Sequence, residues 1–82
     1  MEHHMYNITL DRTKLNDYMR GRISGMIYIL TRKPDRGFPW RSRETDNHWI
    51  TTTLCSEETF KEIVETIEHA YPGAIVETRK VG

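Results

Sequence analysis

Cysteine is almost missing: Cys55 is the only one in 82 residues, so no disulfide can form within the chain. A lone thiol fits a reducing compartment, and a cytoplasmic location is the expectation. Metal-binding spacing is missing as well, because His48 and His69 stand far apart and Cys55 has no companion. Gly21 and Gly25 lack the rest of any phosphate-cradling loop. The longest apolar run, Met26–Leu30, is far too short to span a bilayer. No apolar stretch follows a basic start, so no secretory signal is read. Net charge of one sign is lacking too: 12 Lys and Arg balance 12 Asp and Glu, unlike the basic excess usual in nucleic-acid domains. The expectation is a protein that is not an enzyme, with no metal, no small-molecule cofactor and no membrane contact.

What is present bounds the fold. A chain of 82 residues holds one domain, and a domain this small buries only about 60% of the surface its unfolded chain exposes. Met1-Glu2-His3-His4 reads as the remnant of a histidine tag, which places residues 5–82 in a single α+β domain. The clearest element is a helix from Glu57 to Tyr71. Phe60, Ile63, Val64, Ile67, Ala70 and Tyr71 recur at helical spacing on one face. Ser56 stands at the N-cap, Glu57 and Glu58 complement the helix dipole, and Pro72-Gly73 stops the helix. A shorter helix is expected within 11–22, with Leu15, Tyr18 and Met19 inward and Gly21 at its end.

Four extended segments are expected: Tyr6–Leu10, Met26–Thr31, His48–Leu54 and Ala74–Val81. The polar second half of the last one suggests a sheet edge. Strand, helix, strand, strand, helix, strand is the order of the ferredoxin-like βαββαβ plait, a four-stranded antiparallel sheet with two helices on one face. The rival is a β-meander packed on one long helix. In the plait reading, Ile8, Leu10, Ile27, Ile29, Ile50, Leu54 and either Val76 or Ile75 lie under the helices. Tyr28, Trp49, Thr51 and Thr53 then occupy the open face. A homodimer through an open face carrying Trp49, Met26 and Leu30 is compatible with this layout. The order is similar to that of RNA-recognition-motif domains. Their aromatic signature is absent, since the third strand offers only Trp49 and the first no outward aromatic.

The segment most suited to function is the long loop read at 31–47. It carries Arg32, Lys33, Arg36, Arg41 and Arg43, with Phe38 and Trp40 among them and Pro39 between the two aromatics. Arginine and tryptophan dominate binding hot spots, and aromatics interleaved with arginines can stack on bases while guanidiniums meet phosphates. The alternative for Phe38 and Trp40 is packing back on the core. Charge is also segregated: residues 1–43 carry nine bases and four acids, and residues 44–82 three bases and eight acids. Such a split can steer the molecule toward an anionic partner, or serve internal pairing or head-to-tail self-association.

The expected function is a small binding or regulatory module. It would contact an anionic partner, nucleic acid or a nucleic-acid-handling protein, through Arg32, Lys33, Arg36, Phe38, Trp40, Arg41 and Arg43, with Tyr28 and Trp49. The alternative is a virus- or mobile-element-type inhibitor or adaptor that blocks a host protein complex. In that case the acidic helix face of Glu62, Glu65 and Glu68 could occupy a basic groove. A metal-dependent nuclease centred on Asp11 is a third reading, weighed against Asp11 as a helix cap. Cys55 is expected to be buried and inert.

Overall fold

A computed structural model describes residues 2–31 and 41–81. The elements are β1 (His4–Asp11), a 3-10 turn (Arg12–Lys14), α1 (Asp17–Thr31), β2 (Arg41–Glu44), β3 (His48–Cys55), α2 (Glu57–Ala70) and β4 (Ile75–Lys80). The strands form one antiparallel sheet in the order β2-β3-β1-β4. The class is therefore α+β, with two helices on a four-stranded sheet. The meander alternative fails, because β1 lies between β3 and β4 and not beside β2.

The α2 helix follows the sequence closely. The Ser56 hydroxyl accepts the Thr59 N–H at 3.2 Å, which satisfies one free donor of the first turn. Ile63 and Ile67 are fully buried, while Phe60 and Val64 pack beside them. Gly73, with φ 81°, takes the left-handed turn into β4 that a side chain would resist. The Phe60 ring stacks on Tyr6 of β1, 4.0 Å between centroids and 9° between planes. This stack seals the end of the core next to Cys55.

The other helix departs from expectation. Met26–Thr31 is not a strand but the second half of α1, which runs fifteen residues through both glycines. Asn16 begins it, its side chain accepting the Met19 N–H at 2.8 Å. The inward residues are Met19, Ile23, Met26, Ile27 and Leu30. Their spacing of four, three, one and three is helical, and it continues unbroken from the expected short helix into the expected strand. A run of five apolar residues supports either period, and here the helix buries Ile23 and Ile27 against the sheet. Ile29 therefore points away and is 69% exposed, and Tyr28 is exposed with it.

Gly21 and Gly25 are exposed along the groove between α1 and α2, and a Cβ built at either meets nothing within 4 Å. Glycine in a helix interior costs about 0.5–1 kcal/mol relative to alanine. The double variant Gly21→Ala/Gly25→Ala is therefore expected to be more stable by about 1–2 kcal/mol in denaturant titration. A loss of stability would contradict a continuous helix here.

The β3 face assignment is inverted relative to the sequence reading. The register pairs Leu10 with Trp49, Ile8 with Thr51 and Tyr6 with Thr53. Trp49, Thr51, Thr53 and Cys55 thus lie under the helices, all buried, while Ile50 and Leu54 are half-buried on the opposite side. Trp49 is the largest apolar body in the strand, and burying it drags every second residue along, because side chains alternate strictly. The hydroxyls of Thr51 and Thr53 are left without hydrogen-bond partners among the described residues. At the β4 end, Ala74 is buried, Ile75 half-buried and Val76 exposed. Val76 is the extra residue where the register with β1 shifts.

Candidate anion-binding face

The segment expected as one long loop contains real structure. Thr31 closes α1, Arg41–Glu44 is β2, and residues 45–47 turn the chain into β3. The turn is tied by the Thr45 N–H to the His48 carbonyl (2.9 Å) and by the His48 N–H to the Thr45 hydroxyl (3.1 Å). Arg32, Lys33, Arg36, Phe38 and Trp40 lie outside the described residues.

β2 is short and exposed along its whole length, so something besides burial must hold it. Its Glu44 points to the helix side, opposite Trp49. There its carboxylate meets Arg20 of α1 at 2.7 Å and Arg12 at 3.4 Å. Arg20 also pairs with Asp17, and the Arg12 N–H donates to the Asn47 carbonyl at 3.0 Å. Part of the charge split in the sequence is therefore consumed inside the fold: bases from the first half clamp the first acid of the second half.

With Glu44 and Ser42 on the helix side, alternation turns Arg41 and Arg43 to the open side of the sheet. The register then defines rows across the four strands. Arg41 lies beside Thr52, Thr52 beside Asn7, and Asn7 beside Arg79. In the middle of this row the Thr52 hydroxyl donates to the Asn7 side-chain Oδ1 at 2.6 Å. The Asn7 side-chain nitrogen then has no acceptor among the described residues. The two arginines are three strand spacings apart, roughly 14 Å between backbones. The next row is Arg43, Ile50, Thr9 and Glu77. Met5 and Leu54 pair beyond the first row and are half-buried. Among the described residues no carboxylate lies within ion-pair distance of Arg41, Arg43 or Arg79. Their guanidiniums are available to an anion, each with a planar fork of donors.

Neither Trp49 nor Tyr28 lies on the open face that the sequence predicts for them. Trp49 is 4% exposed beneath the helices, because its bulk supplies core that a small domain needs. Tyr28 is exposed, but on α1, away from the sheet. The described part of the open face thus carries no aromatic platform. The homodimer surface imagined there loses Trp49, Met26 and Leu30 as well, the last two belonging to α1. Sequence reasoning missed Asn7, Thr52 and Arg79. Their signal was the outward phase of β1, β3 and β4, legible once the phase of β3 is known.

The remaining reactive candidates are occupied structurally. Asp11 caps the 3-10 turn, its carboxylate accepting from the Thr13 hydroxyl at 2.6 Å and the Thr13 N–H at 2.9 Å. These bonds hold its pKa below the usual carboxylate range. Cys55 is buried, and desolvation pushes its thiol up to about 11. The Thr53 hydroxyl lies near enough to favour the thiolate slightly, without reaching hydrogen-bond geometry. At neutral pH the thiol is therefore protonated and a poor nucleophile. Burial, with Glu57 and Cys55 nearby, raises the Tyr6 phenol too. Among the described residues no helix is long and apolar enough to cross a membrane. No family model matches the chain, and no curated protein or solved structure is significantly similar to it.

Proposed function

We propose that the protein is a non-catalytic binding module of the ferredoxin-like plait type whose open sheet face takes the sugar-phosphate backbone of single-stranded nucleic acid. The strand order β2-β3-β1-β4, with a helix between β1 and β2 and another between β3 and β4, supports the plait. One observation carries the function: the row Arg41–Thr52–Asn7–Arg79, with Arg43 beside it, is open on the sheet and has no intramolecular carboxylate among the described residues. Phosphate oxygens accept well from guanidinium forks and amide donors. A row with exposed arginines at its two ends and half-buried polar groups between them suits a backbone that runs across the strands. Among the described residues of this face there is no aromatic, so the contact they make is to phosphates and carries little sequence preference.

The test is fluorescence anisotropy with a labelled single-stranded oligonucleotide at several salt concentrations. Binding should weaken steeply with salt, since each neutralised phosphate releases counterions. Arg41→Ala and Arg43→Ala should each reduce the log–log salt slope by about 0.7. Absence of binding at low salt ends the reading.

A second reading, the inhibitor or adaptor, rests on α2. Glu58, Glu62, Glu65 and Glu68 are exposed on the helix layer, opposite the arginine face. Reversing Glu62 and Glu65 to lysine separates the two: nucleic-acid affinity holds or rises under the first, and capture of a basic protein groove is lost under the second.

A further inference from the structure

β4 ends the sheet: it pairs with β1, and among the described residues no strand lies on its other side. An unpaired edge is a template for another strand, and proteins usually blunt it with charge. Here the charges follow a particular order, Glu77-Thr78-Arg79. We infer that β4 is a self-pairing edge, and that two copies of this chain associate antiparallel about Thr78 to form one continuous sheet.

The hydrogen bonding selects which residues can pair. The Val81 N–H donates to the Met5 carbonyl at 2.8 Å. With the register of Asn7 to Arg79 and Thr9 to Glu77, this makes residues 77, 79 and 81 the hydrogen-bonded partners of β1. Thr78 and Lys80 therefore turn their amides and carbonyls to the free edge. Only a register that sets these residues against their like on the second copy completes a ladder. Such registers also keep both pairs of helices on one side of the joined sheet.

Charge then chooses among them. Centring the two-fold on Glu77 opposes two carboxylates, and centring it on Arg79 opposes two guanidiniums. Centring on Thr78 sets Glu77 opposite Arg79 of the second copy, twice. This is a non-hydrogen-bonded position, where side chains approach most closely. The charges on this edge thus specify one partner in one register.

A second feature lies along the same edge. A groove of about 460 Å³ between α2 and β4 is lined by Phe60, Lys61, Val64, Glu65 and Thr78. In the Thr78-centred pair the second copy's α2 runs antiparallel beside the first over this groove. The apolar Phe60 and Val64 are then covered. The rim charges Lys61 and Glu65 are complementary under the two-fold. The exposed Val76 is covered in the same step. Pairing gives Arg79 a carboxylate partner and so withdraws it from the anion-binding row, leaving Arg41 and Arg43 of each copy to carry that reading.

The test is sedimentation velocity of the full chain over a concentration series. The wild type should move from 9.8 kDa toward twice that mass. Arg79→Glu and Glu77→Arg each set like charges opposite one another and should weaken association roughly tenfold. The swap Glu77→Arg/Arg79→Glu should restore it. Thr78→Pro removes an outward N–H that β1 does not use, and should give a monomer with an unchanged circular dichroism spectrum. A wild type that stays monomeric at its highest concentration overturns the inference. So does a dimer indifferent to the single reversals, or a swap that fails to restore the dimer.

Discussion

Ile27→Glu is expected to abolish cooperative folding, while Ile29→Glu, two residues along, leaves the thermal midpoint nearly unchanged. Ile27 is fully buried between α1 and the sheet, whereas Ile29 is 69% exposed. Removing a buried isoleucine side chain costs about 2–5 kcal/mol. A buried carboxylate without a partner adds several kcal/mol more. A chain of 82 residues has a total stability of only about 4–12 kcal/mol. The first variant exceeds or exhausts that margin. The second places a good helix former on an exposed helical surface, where effects stay within about 0.5 kcal/mol. The contrast distinguishes helix from strand: in a strand the two isoleucines would share a face and fail together. Equal damage at both positions, measured by circular dichroism melts, would restore the strand.

The second large effect has the opposite sign. Thr51→Val and Thr53→Val should each stabilise the protein by about 1–2 kcal/mol, because each removes a buried hydroxyl that has no partner among the described residues. Valine keeps the shape, favours a strand and adds an apolar contact under the helices. For a domain of this size each kcal/mol raises the midpoint by roughly 4–8 °C, so a gain of ~2–4 kcal/mol should raise the melting point of the double variant by at least about 8 °C. Thr52→Val, between them, is the control. Its hydroxyl donates to Asn7 at 2.6 Å, so its loss should cost about 1 kcal/mol. If all three threonines respond alike, the phase of β3 is wrong, and with it the arginine row.

That phase marks where local information ran out. Segments with one strong period were legible: α2, through Ile63, Ile67 and its Ser56 cap, and β1, through Tyr6, Ile8 and Leu10. The edge position of β4 was legible from its charges. Trp49, Thr51 and Thr53 were misplaced with Ile50 and Leu54 through the phase of β3, and Tyr28 and Ile29 for a different reason. Met26–Leu30 is apolar at every position, so it satisfies a period of two and a period of 3.6 equally. Nothing within it selects either. The helical choice required Met19 and Ile23, one and two turns earlier, on the same face. Arg41–Glu44, by contrast, contains no apolar residue to mark it as a strand. It became β2 through pairing with β3 and through the clamp of Arg12 and Arg20 on Glu44.

The sequence alone determined the α+β class, the α2 helix, the β1 face and the concentration of arginine before β3. Tertiary structure decided which residues form the second strand and which side of β3 is inside. In a strand, one long-range registration fixes the orientation of every side chain at once. That registration was set by where Trp49 could be buried against Leu10, a contact made across nearly forty residues of chain and invisible to any local pattern.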